Sequence, residues 1–124
     1  MSNRLKEIFA KENPKTKLIG YFVGCHPTYD KSLEILKEAI KNGMSIIELG
    51  YSNSESSAEG PVIKSAQDRV LKNNVALEDV LKLAKEVRDY DKNVGIILMG
   101  YITNLYKYDI KKFVAKLKEF DLDG

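Results

Sequence analysis

Three short apolar runs, each followed by segments with helical periodicity, constrain this chain more than any other feature. The runs are Leu18 to Cys25, Ser45 to Gly50 and Val94 to Met99. Each is too short for a typical helix and is rich in residues that favour strands. Parallel strands that are covered on both faces are nearly continuous in apolar residues, as these runs are. The pattern therefore predicts three buried, parallel strands.

Five further segments carry apolar residues at helical spacing. Alternation of strands and helices is typical of α/β proteins, in which right-handed crossovers connect parallel strands. The sequence therefore predicts an α/β fold, a parallel βαβαβα unit preceded by a short N-terminal helix. The predicted helices are Asn3 to Glu12, Asp30 to Asn42, Pro61 to about Asn73, Leu77 to Asp89 and Asp109 to Phe120.

Such a sheet is incompletely covered. Helices on one side of three strands leave Val, Ile, Leu, Tyr and Phe side chains of the other side exposed, and a patch of that kind marks an interface. The sequence also ends at Gly124, directly after a predicted helix, where the alternation requires another strand. We therefore expect residues 1–124 to form a single incomplete barrel-type domain, truncated before the fourth strand, or a subunit that oligomerises.

Composition and motifs exclude several classes of function. The chain has 20 Lys and Arg against 18 Asp and Glu, and the basic residues are dispersed, which does not favour nucleic-acid binding. One cysteine and one histidine provide neither an internal disulfide nor a zinc pattern. No glycine-rich nucleotide-binding motif follows a strand. The N-terminus has no apolar signal region, and no apolar run could span a membrane, so we expect a cytoplasmic protein.

Two glutamates are candidates for acid–base chemistry. Glu48 lies near the C-terminal end of the second predicted strand, at the sheet edge where parallel α/β folds bind ligands. A partly desolvated carboxylate there could serve as general acid or base, but a solvent-facing or lysine-paired Glu explains the pattern equally well. Glu59 precedes the helix that starts at Pro61, where the helix dipole alone also favours a carboxylate. Together they form a candidate acid–base pair.

The other candidates on this edge have simple structural interpretations. His26 follows the first strand, but a loop histidine before proline is more often solvated than catalytic. Cys25 is expected to be a small buried hydrophobic residue. Tyr21 and Tyr101 could line an aromatic pocket, although core packing explains them as well. No metal-binding cluster is predicted.

The order and spacing of four segments resemble the tryptophan synthase alpha subunit family over nearly the whole chain. The segments are LIGYFVGCHP, KSLEILKEAIKNGMSIIELG, AEGPVIKSAQDRVLKNNVALEDVLKLAKEVR and GIILMGYITNLYKYDIKKFVAKLKEFDLDG. The most specific part is the ELG strand end followed at a set distance by AEGPVI. The resemblance implies that the chain corresponds to the first three strand–helix units of a (β/α)₈ TIM barrel.

The resemblance also implies an activity. The family cleaves indole-3-glycerol phosphate to indole and glyceraldehyde 3-phosphate in tryptophan biosynthesis, and a beta subunit that carries pyridoxal phosphate receives the indole. No cofactor is implied for this chain. Glu48 matches the family's acid–base glutamate, and Glu59 occupies the position of the aspartate that faces the indole N–H. Tyr21 and Tyr101 are then expected to line the indole pocket.

The departures from the family pattern cluster in the loops that follow the strands. The family's G-D-P reads Cys25-His26-Pro27, and its I-P-F-S-D-P reads YSNSES over residues 51–56, which keeps only Ser54. The latter loop contacts the beta subunit in the family. The family's Y-Y-N-P reads YITN over residues 101–104, which displaces the asparagine by one position. The alternative is a non-catalytic, degenerate or truncated alpha-like chain that oligomerises or binds a partner through its uncovered sheet face.

Overall fold

The computed structural model describes residues 3–10, 16–55 and 57–124. Its centre is a three-stranded parallel sheet in the order β1-β2-β3. The strands are β1 (Leu18–Val23), β2 (Met44–Gly50) and β3 (Gly95–Met99). The α/β fold class and the three parallel strands are therefore as the sequence predicts.

Six helices surround the sheet within the described residues. One precedes β1, one connects β1 to β2, two connect β2 to β3, and two follow β3. They are α1 (Asn3–Ala10), α2 (Tyr29–Lys41), α3 (Pro61–Lys72), α4 (Leu77–Tyr90), α5 (Ile102–Tyr108) and α6 (Ile110–Glu119). No helix among the described residues is long and apolar enough to cross a membrane.

The main boundary error of the sequence interpretation lies at the end of β1. The strand ends at Val23, and Cys25 lies in a turn with a positive φ of 64°. The chain leaves the sheet after Gly24, whose N–H donates to the carbonyl of Gly50 at 2.8 Å. Composition does not reveal this exit, because Cys25 is as apolar as the strand residues before it. The predicted end of the first helix, Glu12, lies outside the described residues.

Helix α5 is an element that the sequence interpretation missed. It has no buried residue, so it lacks the apolar stripe by which an amphipathic helix is recognised. Asp109 separates it from α6 with a positive φ of 83°. The Asp109 side chain then caps α6 by accepting the N–H of Lys111 at 2.8 Å and that of Lys112 at 3.2 Å.

The main core lies between the sheet and the pair α2 and α4. It joins alternate residues of β2 and β3 to the inner faces of both helices. These residues, all buried, include Ile47 and Leu49 of β2, Ile96 of β3, Leu36 of α2, and Val80, Leu83, Ala84 and Val87 of α4. A smaller cluster of Leu81, Phe113 and Phe120 fixes α6 against α4.

The opposite face of the sheet is covered only in part. At its N-terminal end Leu5 of α1 approaches Gly95, and Ile46 beside it is 1% exposed. Toward the edges Ile19 is 48% exposed and Met99 is 50% exposed. The expected uncovered apolar face is therefore present at the margins, whereas α1 covers part of its N-terminal end.

A buried ion cluster closes the N-terminal end of the sheet. Arg88, 2% exposed at the end of α4, pairs with the Asp123 carboxylate at 2.8 Å, and Arg4 of α1 binds the same carboxylate at 2.5 Å. Asp123 also accepts the N–H of Ile96 at 2.8 Å. Residues 122–124 then run beside β3, where the Leu98 N–H donates to the carbonyl of Gly124 at 2.8 Å. The cluster thus ties α1, α4 and β3 together.

Candidate active site at the C-terminal sheet edge

The strand register brings Tyr21 and Glu48 side by side. Tyr21 of β1 lies opposite Glu48 of β2, and both point to the face that α2 and α4 do not cover. Glu48 shares this face with Ile46 and Gly50 because side chains alternate along a strand. Its side chain is partly buried, between the covered Ile46 and the open C-terminal edge. The carboxylate is therefore placed where a ligand could reach it.

Gly50 provides the room for the Tyr21 ring. A methyl group built on Gly50 would collide with the Tyr21 hydroxyl and with the ring carbons next to it. Tyr21 thus extends along the sheet from its own position, opposite Glu48, toward the C-terminal edge. The glycine of the ELG strand end is required here for steric reasons.

The surroundings of the Tyr21 hydroxyl identify the rest of the site. Burial raises the pKa of Tyr21, a hydrogen bond from the Gln67 side chain opposes this, and the charges of Glu59 and Glu48 raise the pKa further. Tyr101 contributes a smaller increase. The two glutamates that the sequence singles out therefore lie around one phenolic group.

A pocket of about 250 Å³ opens beside this group. Glu48 is not part of the pocket wall that the described residues form. It is the register partner of Tyr21, which does line the pocket. The wall consists of Tyr21, Ala58, Glu59, Gln67, Met99, Gly100 and Tyr101. Both predicted pocket tyrosines and one of the two predicted carboxylates thus face the same cavity.

Hydrogen bonds hold the loop that carries Glu59 against the loop after β3. The Tyr101 hydroxyl accepts the N–H of Ala58 at 3.1 Å. Asn53 donates to Thr103 at 2.9 Å and to Asn104 at 2.5 Å, and Asn104 donates to the carbonyl of Ser52 at 3.0 Å. Asn104, which lies one position later than the asparagine of the Y-Y-N-P pattern, therefore contacts the neighbouring loop.

Comparison with known proteins places this arrangement in a family. The family model described as tryptophan synthase alpha chain matches residues 8–124. The chain belongs to that family. The tryptophan synthase alpha chain of Aquifex aeolicus (strain VF5) is 33% identical over 124 residues, which are 100% of this chain and 47% of that protein. The chain thus spans about half the length of the curated relatives it matches.

Solved structures agree with this assignment. The tryptophan synthase subunit alpha from Legionella pneumophila str. Paris superimposes with a TM-score of 0.93 at 30% identity, over 100% of this chain and 48% of that chain. A tryptophan synthase structure from M. tuberculosis gives a TM-score of 0.89 at 24% identity, over 98% of this chain and 49% of that one, which shows the fold alone. The described strands and helices therefore correspond to part of an alpha-chain TIM barrel.

His26 does not line the pocket that contains Glu59. Its Nε2 atom is buried without a hydrogen-bond partner in the described residues, whereas the sequence favoured a solvated ring. The residue lines a separate depression of about 400 Å³ with Pro61, Val62, Ser65, Ala66 and Arg69. The turn that leaves β1 directs the ring toward α3, which a sequence pattern does not reveal.

Cys25 is buried, as predicted. The side chain is 0% exposed and packs in the main core. Burial raises the pKa of its thiol to about 12, so the thiolate is not available at neutral pH.

Gln67 is a site residue that the sequence interpretation missed. It is 2% exposed, it lines the pocket, and its Oε1 atom has no partner among the described residues. A weak signal was available, because Gln67 lies four residues after Ile63 and three before Val70, on the apolar stripe of α3. A polar side chain on such a stripe indicates a buried polar contact.

Proposed function

We propose that the polypeptide to which this chain contributes cleaves indole-3-glycerol phosphate to indole and glyceraldehyde 3-phosphate. The observation that carries the proposal is the convergence of Glu48 and Glu59 around Tyr21 at the C-terminal sheet edge. In TIM barrels this edge carries the catalytic groups. Family membership over residues 8–124 supports the same reaction.

The proposed reaction is a retro-aldol cleavage with Glu48 as acid and base. As the acid, Glu48 adds a proton to ring carbon 3 of the indole, which leaves positive charge on the ring nitrogen. As the carboxylate, it then takes the proton of the hydroxyl on the first side-chain carbon. The carbon–carbon bond breaks, its electron pair returns to the ring, and the oxygen becomes the aldehyde oxygen of glyceraldehyde 3-phosphate.

Glu59 is proposed to stabilise the charge on the indole N–H. It occupies the position of an aspartate in the family pattern, and its additional methylene moves the carboxylate by about 1 Å, a displacement that can cost about 10²-fold in rate. The hydrogen bonds between the loops of residues 51–60 and 101–104 support its placement. Tyr21 and Tyr101 are proposed to hold the indole ring between them in the pocket.

The proposed partner is a beta subunit that carries pyridoxal phosphate and consumes the indole. The loop of residues 51–60 is the proposed contact, by its position in the family. Within this loop Asn53 donates hydrogen bonds to Thr103 and Asn104, which support the position of its first residues. Co-elution of the complete polypeptide with a beta subunit tests the contact. Separate elution at micromolar concentrations contradicts it.

The decisive experiment replaces Glu48 by Gln in the complete polypeptide. Indole release should be abolished, because the amide can neither donate nor take the proton, while the melting temperature should change little at a partly buried position. Glu55→Gln is a matched control, since Glu55 is exposed on the loop that follows β2. Full activity of Glu48→Gln contradicts the assignment of Glu48 to catalysis.

A second candidate function is that of a non-catalytic partner-binding module. The exposure of Ile19 and Met99 at the margins of the uncovered face is the observation that favours it. Burying apolar surface contributes roughly 25 cal/mol per Å², so a copy or partner should cover this face. A dimer or larger oligomer in light scattering, together with no indole release, supports this alternative. A monodisperse monomer counts against it.

A further inference from the structure

The Tyr21 hydroxyl has no role in the reaction described so far, since an aromatic ring alone would line an indole pocket. The structure nevertheless surrounds this hydroxyl with polar groups. Gln67, 2% exposed on α3, hydrogen-bonds to it and leaves its own Oε1 atom buried without a partner among the described residues. Unpaired buried polar atoms are rare and destabilising, and each requires an explanation.

We propose that Tyr21 is a further catalytic residue of this site and that Gln67 is its positioning residue. The Tyr21 O–H donates a hydrogen bond to the substrate hydroxyl oxygen from which Glu48 takes the proton. This inference rests on the proposed retro-aldol reaction and adds a donor to it.

The strand register places the donor and the base side by side on one face of the sheet. Tyr21 and Glu48 are register partners on adjacent strands, so both reach the same part of the open face. The Tyr21 ring passes over Gly50, which places the hydroxyl toward the C-terminal edge and in the wall of the pocket. Glu59 lines the same pocket.

Gln67 determines the direction of the phenolic proton. Gln67 lines the same pocket as Tyr21, and its side chain lowers the pKa of Tyr21 by acting as a hydrogen-bond donor, so the phenolic O–H is directed away from Gln67. Within the described residues the Tyr21 O–H makes no hydrogen bond to an acceptor, although the charges of Glu59 and Glu48 act on it. The proton is therefore free to meet a ligand oxygen in the pocket.

The chemical benefit arises in the transition state. When Glu48 takes the hydroxyl proton, negative charge develops on the substrate oxygen before the carbon–carbon bond breaks and the carbonyl forms. A fixed donor aimed at this oxygen stabilises the developing charge more than it stabilises the neutral hydroxyl. Tyr21 keeps its proton throughout, so the proton balance of the reaction is unchanged.

The first test uses steady-state kinetics of the complete polypeptide. Tyr21→Phe should lower kcat by about 10²-fold with little change in KM, since the lost interaction belongs to the transition state. Gln67→Leu should lower kcat less, and the double variant should equal Tyr21→Phe alone, because Gln67 acts through the hydroxyl. Tyr106→Phe is the control, at a position 71% exposed. An unchanged kcat in Tyr21→Phe, or additive losses in the double variant, overturns the proposal.

The second test separates this proposal from the reaction itself. Calorimetry compares the binding of indole-3-methanol with that of the same ring bearing a methyl group. The wild-type polypeptide should favour the hydroxyl-bearing ligand by about fivefold, the effect of one neutral hydrogen bond, and Tyr21→Phe should lose this preference. Equal binding by the wild type, or a preference that survives in Tyr21→Phe, overturns the donor role. Absence of indole release from a wild type that shows the preference overturns the proposed reaction instead.

Discussion

The two ends of the sheet differ in whether their buried polar groups have hydrogen-bond or ion-pair partners. At the N-terminal end Arg88, Asp123 and Arg4 form a cluster in which both oxygens of the Asp123 carboxylate are bonded. At the C-terminal end lie the three buried side-chain atoms that have no partner in the described residues, namely His26 Nε2, Ser52 Oγ and Gln67 Oε1. Among the residues that the structure describes, the ion cluster at the first end is fully paired, whereas the second end contains unpaired polar atoms.

This difference separates a part of the chain that stabilises the fold from a part that can bind a ligand. Ion pairing at the N-terminal end connects helices and strands that are distant in sequence, and every member of the cluster has a protein partner. Polar atoms left unpaired at the C-terminal end lower stability, but they remain near the pocket where a substrate would bind. In α/β barrels the C-terminal face carries function and the opposite face carries stability.

The largest predicted effect is the loss of the Arg88 side chain. Arg88→Met should lower the free energy of unfolding by about 3–5 kcal/mol, because it removes the more deeply buried of the two arginines that pair with the buried Asp123 carboxylate. Chemical denaturation measures this loss. Arg69→Met is the matched control, since Arg69 is exposed and its guanidinium donates to the Ser65 hydroxyl at 3.3 Å. Equal losses in the two variants would show that the N-terminal cluster contributes no more to stability than an exposed arginine does.

An intermediate effect is expected at Gly50. Gly50→Ala should cost about 1–3 kcal/mol, because the new methyl group collides with the Tyr21 hydroxyl and ring. The same change in a Tyr21→Ala background should be nearly neutral, so a double-mutant cycle isolates the collision. Gly60→Ala is the control, since a methyl group there meets nothing within 4 Å. An equal loss of stability in both backgrounds would show that the need for glycine at position 50 does not come from Tyr21.

The smallest expected effect on stability is at Gln67. Gln67→Met should change the free energy of unfolding by less than about 1 kcal/mol, because it removes a carbonyl oxygen that has no partner along with the hydrogen bond to Tyr21. Thermal unfolding measures this change, with Arg88→Met as the contrasting variant. A loss comparable to that of Arg88→Met would show that the C-terminal end also serves stability and would remove the distinction between the two ends.

The regular elements were largely accessible to prediction because burial imposes a period on the sequence. The apolar runs that became β2 and β3, and the stripe of α4, match the described elements to within one residue. The exceptions are instructive. Helix α5 buries no residue and so carries no stripe, and Cys25 is apolar although the chain has already left the sheet.

The candidate site was accessible only in part. Glu48, Glu59, Tyr21 and Tyr101 could be singled out because they lie on predicted strands or in the loops that follow them, and parallel strands place their C-terminal ends on one edge. Their convergence on one hydroxyl depends on the β1–β2 register, which pairs Tyr21 with Glu48. Gln67 is recognised only when α3 has been placed beside β1.

The amino-acid sequence by itself determined the parallel α/β architecture, the family and the edge at which the site lies, since periodicity and spacing are local properties of the chain. Tertiary structure alone decided that Gln67 meets Tyr21, that His26 turns toward α3, and that Asp123 pairs with Arg88 across 35 residues of sequence. Each of these contacts joins residues that are distant in sequence. Packing of the helices on the sheet sets their distance and orientation, and no local pattern encodes either.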